Sequence, residues 1–278
     1  MIRKLAVLFR GTAVPAVFVA VIAAALAQNG KPDIEIPYIP TPDHVVGRML
    51  ELAKVGKDDF VIDLGSGDGR IVIAAAKQFG ARALGIEIDP KLVEKARKNA
   101  EMAGVAGRTE FLVQDLFMAS LRDATVVTLY VFTTTNLRLR SRLLDELRPG
   151  TRIVSHAFSM GGWLADKHEN FRGADLYLWI VPAKIAGVWD VTDGSRRFTI
   201  EFEQAFQEIK GTARIEDRKV PLSAASLTGD RIEFTLGRGG GEPMTYRGKV
   251  SGDRIQALTE GGAASSAWQA RRVVSGGN

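Results

Sequence analysis

The chain contains no cysteine among its 278 residues, which excludes disulfides, thiolate nucleophiles and cysteine-ligated zinc. It has only three histidines, His44, His156 and His168, and none forms a pair of metal ligands at short spacing. We therefore predict no metal site. A strong excess of one charge is also missing, because the net charge is only +5. Composition therefore gives no reason to expect nucleic-acid binding.

The first 27 residues resemble a targeting segment. Arg3 and Lys4 precede an apolar run that begins near Gly11, and the run ends in the small-x-small pattern Ala25-Leu26-Ala27. This order is typical of a secretory signal peptide. An uncleaved membrane anchor is the alternative, although the run is short for a full span and contains Pro15. We predict that the protein is exported to the periplasm or anchored in a membrane, with its topology left open.

Residues 28–183 alternate between strand and helix patterns, which predicts a Rossmann-like, doubly wound α/β domain with a mostly parallel sheet. Residues 184–278 lack a long helical pattern. They contain alternating runs such as Phe198-Thr199-Ile200 and Ile232-Glu233-Phe234, with glycines at the turns. We predict a small antiparallel β module here, either a barrel or a sandwich. Strands are predicted at 60–64, 82–86, 110–113, 124–131, 151–156 and 175–181, and helices at 43–52, 70–79, 90–103 and 136–147.

The strongest chemical signal is a glycine-rich loop that follows the first strand. The sequence Asp63-Leu64-Gly65-Ser66-Gly67-Asp68-Gly69-Arg70 connects an apolar strand to a helix. Glycines let the backbone turn tightly and let a ligand approach the main chain, and ligands bind at the carboxyl ends of such strands. A nicotinamide fingerprint would need glycine in place of Arg70, and the phosphate-loop pattern is absent.

Two further strand ends carry polar residues. Glu87 lies 22 residues after Gly65 and is followed by Ile88, a distance at which a carboxylate can bind a ribose diol. The alternative is a solvated turn that caps the next helix. Gln114-Asp115-Leu116 follows the third strand, and taken alone it is equally consistent with an ordinary loop.

Together these three segments resemble class I S-adenosylmethionine-dependent methyltransferases. The resemblance implies that S-adenosyl-L-methionine is the cofactor. It implies that Glu87 binds the ribose, that Ile88 packs on the adenine, and that Asp115 and the backbone of Leu116 meet the adenine edge. The cofactor-binding residues implied are Asp63, Gly65, Ser66, Gly67, Gly69, Glu87, Ile88, Gln114, Asp115 and Leu116.

A narrower resemblance begins at Pro37-Tyr38-Ile39-Pro40-Thr41-Pro42 and covers about residues 37–182. In this range the chain is similar to the mitochondrial-type protein-lysine N-methyltransferases, which are related to histone-lysine methyltransferases that lack a SET domain. This resemblance implies that Tyr38 and Thr41 line the substrate channel; a proline-stiffened linker is the alternative. The chain departs from many amino-methylating relatives after the fourth strand, where Tyr130 and Asn136 are the candidates for substrate contact.

We therefore predict an S-adenosylmethionine-dependent methyltransferase that N-methylates a lysine of a protein substrate, which could be membrane-associated. The alternatives are a small-molecule methyltransferase and a non-catalytic, cofactor-binding scaffold of the cell envelope. We assign no catalytic base, because a lysine acceptor needs only to lose its proton before attack, and desolvation favours that loss. We predict no nucleic-acid partner. The oligomeric state stays open.

Overall fold

The computed structural model describes residues 39–237, 242–258 and 268–273. Tyr38 and the predicted leader, residues 1–27, lie outside this part of the chain. Among the described residues, no helix has the length and apolarity that crossing a membrane requires. A compact unit begins at Pro40 and contains both of the sheets described below. The division into domains at residues 183 and 184 stays a prediction.

The first sheet has seven strands among the described residues, in the order β3-β2-β1-β4-β5-β7-β6. Strands β1 to β5 are parallel, and β7 is antiparallel to both β5 and β6. The strand order reverses between β1 and β4, and such a reversal leaves a crevice at the carboxyl ends of the strands. The strands are β1 (Phe60–Leu64), β2 (Arg82–Glu87), β3 (Thr109–Val113), β4 (Val126–Leu129), β5 (Arg152–His156), β6 (Lys167–Phe171) and β7 (Ala174–Ile180).

The helices around this sheet begin and end where the sequence supplies suitable caps. Asp89 accepts a hydrogen bond from Lys91 N at 2.8 Å, and Pro90 occupies the first turn of its helix. Gly80, at φ 72°, ends another helix in the left-handed conformation that glycine favours. The helices are α1 (Asp43–Leu52), α2 (Arg70–Phe79), α3 (Pro90–Met102) and α4 (Thr133–Glu146), with short 3₁₀ turns at Ala106–Arg108 and Leu116–Met118.

Both faces of the sheet are buried, which explains why its central strands are almost continuously apolar. Val61 belongs to one core, together with buried residues of α1, α2 and α3. The next residue, Ile62, points to the opposite face and belongs to a second core, together with Leu139 and Leu143 of α4. This alternation buries β1 at the centre of the fold and fixes where its carboxyl end lies.

The second sheet has nine antiparallel strands among the described residues. Each strand pairs with its neighbour in sequence except at the β11–β12 connection, and β16 returns to pair with β8. All nine strands belong to one hydrogen-bonded sheet and not to a sandwich of two, and its buried side chains form one apolar core. The strands are β8 (Gly187–Asp193), β9 (Arg196–Ala205), β10 (Glu208–Ile215), β11 (Arg218–Pro221), β12 (Ser223–Thr228), β13 (Arg231–Leu236), β14 (Met244–Ser251), β15 (Arg254–Ala257) and β16 (Trp268–Arg272).

Two predicted boundaries near the fourth strand were wrong. The strand predicted at 124–131 is shorter, so Tyr130 lies in the connection after β4. The following helix begins at Thr133 and not at Asn136, because the threonines that precede Asn136 adopt helical conformation. The predicted α/β sheet followed by an antiparallel β module is confirmed.

Candidate functional site

The glycine-rich loop lies between β1 and α2 and is tied to the neighbouring strand β2. The backbone N–H groups of Gly65 and Ser66 both donate to Ile86 O, at 2.9 and 3.0 Å. Gly65 and Gly69 have φ values of 84° and 81°, in the left-handed region that residues with a Cβ atom rarely adopt. The loop is therefore held in one conformation at the carboxyl ends of β1 and β2.

Glu87 ends β2 and is fixed by three backbone donors. Gly67 N donates to one carboxylate oxygen at 2.9 Å, and Ile88 N and Asp89 N donate to the other at 2.8 and 3.0 Å. The carboxylate keeps further lone pairs, because each of its oxygens can accept more than one hydrogen bond. It therefore stands beside the glycine-rich loop as an oriented acceptor, suited to the hydroxyl groups of a ribose.

Asp63, at the end of β1, is a buried carboxyl group with 2% of its surface exposed. Thr128 Oγ1 donates to its Oδ1 atom at 2.6 Å. Burial raises the pKa of Asp63 to about 7, and the negative charges of Glu87 and Asp68 act in the same direction. A cationic ligand group nearby would stabilise the charged form of this carboxyl group.

The segment after β3 adjoins Glu87. Gln114 N donates to Glu87 O at 2.9 Å. One oxygen of Asp115 accepts from Phe117 N at 2.9 Å, which caps the short 3₁₀ turn that begins at Leu116. The structure thus brings the predicted adenine-edge residues to the same side of the site as Glu87.

Two large apolar side chains are exposed beside these polar residues. Ile88 and Met118 have 68% and 72% of their surfaces exposed. Exposed apolar surface next to oriented polar groups is typical of a ligand site. Ile88 thus has an exposed side chain next to Glu87, and its packing on the adenine stays a prediction.

Two arginines of α4 hold the segment after β3, and neither was predicted from the sequence. Arg142 donates to the carbonyl oxygens of Phe117 and Ala119, and the guanidinium of Arg138 lies 3.9 Å from the centre of the Phe117 ring. Arginines spaced four residues apart on a helix share one face. The sequence shows this spacing, but it does not show which part of the protein the two arginines contact.

A cluster of polar and aromatic residues covers the opposite side of the glycine-rich loop. Tyr130 stacks on His156, with ring centres 4.0 Å apart, and a hydrogen bond of 3.1 Å joins His156 Nδ1 to Thr41 Oγ1. Arg70 in turn donates to Thr41 O at 2.9 Å. Thr41 and Tyr130 are therefore brought together, through a histidine that had no role assigned from the sequence.

Burial lowers the pKa of His156, which favours the neutral imidazole, and the negative charge of Asp175 acts in the opposite direction. A neutral imidazole can exchange a proton or accept a hydrogen bond. His156 ends β5, next to the strand that leads to Tyr130. In the sequence, the only indication of this contact was that His156 ends one predicted strand and Tyr130 lies near the end of another.

Asn136 is buried within the first turns of α4, away from the surface. Its side-chain amide donates to Phe158 O at 3.1 Å, and Ser155 Oγ donates to the same carbonyl at 2.7 Å. Its carbonyl oxygen Oδ1 has no hydrogen-bond partner among the residues that the structure describes. Asn136 thus holds the connection after β5, and its contact with substrate stays a prediction.

The residues around the glycine-rich loop fit a cationic ligand with a diol. In a dinucleotide site, free backbone N–H groups of the glycine-rich loop bind the phosphates. Here the N–H of Gly67 donates to the Glu87 carboxylate, whose negative charge would repel a phosphate. Asp63 and Glu87 instead suit a positively charged group and a ribose. Ser66 Oγ is buried without a partner among the described residues, and it lies against Gly85 of β2.

Residues 63–167 match the ANTKMT methyltransferase domain family. The chain is 49% identical over 129 residues to the protein-lysine N-methyltransferase of Saccharolobus islandicus, which is 46% of this chain and 80% of that relative. It is 37% identical to the adenine nucleotide translocase lysine N-methyltransferase of Mus musculus, over 47% of this chain. The match covers 56% of the mouse protein, little more than half of its length.

A solved structure agrees in both fold and cofactor. The RNA methyltransferase from Salinibacter ruber, in complex with S-adenosyl-L-homocysteine, is 55% identical to this chain with a TM-score of 0.52. The match covers 53% of this chain and 96% of the Salinibacter chain. The predicted cofactor, S-adenosylmethionine, is confirmed. The chain belongs to the family of S-adenosylmethionine-dependent methyltransferases that includes the protein-lysine N-methyltransferase of Saccharolobus islandicus.

Proposed function

We propose that the protein transfers a methyl group from S-adenosylmethionine to the side-chain nitrogen of a lysine in a protein. Two of the relatives carry this activity in their names, and one of them is named for adenine nucleotide translocase. The site places an oriented ribose acceptor, Glu87, on one side of the glycine-rich loop and the Tyr130–His156 stack on the other. This arrangement supports a cofactor and a separate acceptor that meet at the loop.

The observation that carries the proposal is that two segments on the acceptor side contain no charged residue. Residues 130–137 cover the connection after β4 and the first turn of α4, and residues 157–165 form the connection after β5 up to Asp166. Neither segment contains Asp, Glu, Lys or Arg. The second connection packs on the first, with the rings of Phe132 and Phe158 5.4 Å apart. We call these two segments the acceptor loops. Lys and Arg supply the charge that gives proteins their sequence-independent affinity for nucleic acids, and the absence of both from these two segments supports a protein acceptor.

An uncharged, aromatic surface suits the chemistry of a lysine acceptor. When bound, S-adenosylmethionine supplies an activated methyl group, and the acceptor nitrogen displaces the sulfur in line. Desolvation at the acceptor loops lowers the pKa of the lysine and favours the neutral amine that attacks. The rings of Tyr130, Phe158 and Phe132 then bind the cationic methylated product through cation–π contacts. The protein's part is alignment and exclusion of water.

The proposal is tested with labelled S-adenosylmethionine and three acceptors. These are a lysine peptide with apolar flanks, the same peptide with basic flanks, and a structured RNA. We expect methylation of the lysine in the apolar peptide, located by tandem mass spectrometry. We expect weaker methylation of the basic peptide, because the acceptor loops offer no carboxylate to pair with its charges.

The matched control is the Glu87→Ala variant, which should reduce labelling of every acceptor to the same extent at a subsaturating concentration of S-adenosylmethionine. Methylation of RNA with no peptide product would overturn the lysine assignment in favour of the activity named for the Salinibacter relative. Label on a small molecule alone would support the small-molecule alternative. Binding of S-adenosylhomocysteine without transfer to any acceptor would support the scaffold alternative.

We also propose that residues 1–27 place the protein at a membrane, close to an apolar protein substrate. Exposed apolar side chains of the acceptor loops support this proposal, since Phe132 and Leu164 have 47% and 62% of their surfaces exposed. Fractionation of cells that express the full chain should find it in the membrane fraction with an intact N-terminus. A soluble, exported product that begins at Gln28 would show cleavage instead.

A further inference from the structure

The β module touches one acceptor loop through a single hairpin turn. Phe206 and Gln207 connect β9 to β10, since Ala205 pairs with Glu208 across the turn. The Phe206 ring stacks on Trp163, with centres 5.9 Å apart and planes 13° from parallel. Gln207 Nε2 donates to Leu164 O at 2.7 Å. Both contacts fall within residues 157–165, so this turn lies directly on the second acceptor loop.

The same loop is held from the other side by α4. Arg140 donates to Met160 O at 3.0 Å, and its guanidinium carbon lies 5.5 Å from the centre of the Phe206 ring. Trp179 of β7 donates from its indole N–H to Trp163 O at 2.8 Å. The loop therefore lies between the α/β sheet and the β module, and Phe206 contacts both the loop and Arg140 of α4.

Two unfavourable features occur together at this contact. Phe206 has φ 57°, at a turn position where the left-handed backbone favours glycine over a bulky residue. Trp163 is buried, and its indole N–H has no hydrogen-bond partner among the described residues. Each feature is costly. Both features belong to the two stacked residues, so the contact between their rings offsets part of this cost.

The module itself is fixed against the first sheet, so the turn has a firm base. A Cβ atom on Gly229 would lie 3.0 Å from Gly150 Cα, which shows how closely the β12–β13 turn approaches the residues before β5. Gly229 O accepts from Ala183 N at 2.8 Å. Lys184 pairs with Asp145 of α4 at 2.6 Å. Contacts at these separate points leave the β9–β10 turn little freedom to move away from the loop.

We propose that the β9–β10 turn is a brace for the acceptor loop at 157–165, with Phe206 and Gln207 as positioning residues for the acceptor. The proposal rests on the assignment of that loop to acceptor binding made above. The brace keeps the loop in the conformation that admits the acceptor, while the cofactor side of the site does not depend on it. The β module then has a defined part in substrate recognition.

The test uses the full chain and the variant Phe206→Gly. Glycine suits the left-handed turn, so this variant removes the ring without straining the hairpin. The matched control is Glu216→Gly in the β10–β11 turn. Glu216 has φ 53° at the same position of a two-residue turn, but at the opposite end of β10. Phe206→Tyr restores a ring, and Gln207→Ala removes the hydrogen bond to Leu164.

For Phe206→Gly we expect the KM for the peptide acceptor to rise about 3- to 10-fold, the range that a lost aromatic pair implies. The Kd for S-adenosylhomocysteine should equal that of the wild type. Backbone amides of residues 157–165 should exchange hydrogen faster, while those of residues 60–70 should not. Phe206→Tyr should restore both the KM and the exchange rates, and Glu216→Gly should change neither.

Unchanged exchange at 157–165, or faster exchange with an unchanged KM, would overturn the proposal. Equal losses of cofactor and acceptor affinity would also overturn it, because they would mean a general loss of structure. If the wild type methylates no peptide, the proposed function fails, and the hydrogen-exchange comparison still decides whether the turn braces the loop.

Discussion

Replacing Glu87 by alanine should weaken the binding of S-adenosylhomocysteine about 5- to 150-fold, which corresponds to roughly 1–3 kcal/mol for an unmet polar pairing. The carboxylate is the oriented acceptor beside the glycine-rich loop, and it also accepts from the backbone N–H groups of Gly67, Ile88 and Asp89. Its loss therefore removes a ligand contact and leaves three backbone donors without their partner. Isothermal titration calorimetry of the full chain measures the effect.

Two variants separate these contributions. Glu87→Gln keeps one acceptor oxygen, so its affinity should fall between those of the wild type and Glu87→Ala. Glu101→Ala removes an exposed carboxylate from the end of α3 and should bind as the wild type does. Wild-type affinity in Glu87→Ala would show that this carboxylate does not bind the ribose.

Replacing Asp63 by asparagine should stabilise the ligand-free protein at pH 8 while weakening cofactor binding. The folded-state pKa of about 7 lies above the ordinary carboxyl value of 3.8, so the folded state holds this proton more tightly than the unfolded state. The contribution of Asp63 to the stability of the folded state is therefore greatest below about pH 4, and it is lost as the pH rises through about 7. At pH 8 the wild type buries a charge that asparagine lacks, which costs on the order of 1–4 kcal/mol.

Thermal unfolding of both proteins between pH 4 and pH 8 measures this effect. The wild type should lose stability across that range relative to Asp63→Asn, and calorimetry should show weaker binding of S-adenosylhomocysteine by the variant. Asp123→Asn, at an exposed carboxylate, should follow the wild type. Parallel pH profiles for the wild type and Asp63→Asn would contradict a raised pKa.

Local sequence patterns predicted the cofactor side of the site because its parts follow one another closely along the chain. The helix predicted at 70–79 has the observed bounds, since glycines in the left-handed conformation flank it at Gly69 and Gly80. Strand β6 was missed because its sequence, Lys-His-Glu-Asn-Phe, is polar. It is an edge strand in which only Glu169 and Phe171 are even partly buried, so no hydrophobic alternation marks it.

The acceptor side was harder to predict because its contacts join residues that are far apart in sequence. Thr41 and His156 are separated by 115 residues, and the stacked pair Trp163 and Phe206 comes from two different parts of the fold, the loop after β5 and a turn of the β module. Asn136 was predicted to begin a helix, but the helix begins at Thr133, and this difference places its side chain inside the fold. Such contacts depend on tertiary packing, which periodicity does not report.

The pairing of β16 with β8 has a consequence for the order in which the protein assembles. All seven strands of the first sheet lie before residue 181, whereas β8 obtains its second neighbour only from Trp268–Arg272. Contacts over such long separations form slowly, and domains fold from the N-terminal side during synthesis. We therefore expect the α/β sheet, with its cofactor pocket, to form before the β module closes, because β8 must wait for Trp268–Arg272 to be synthesised.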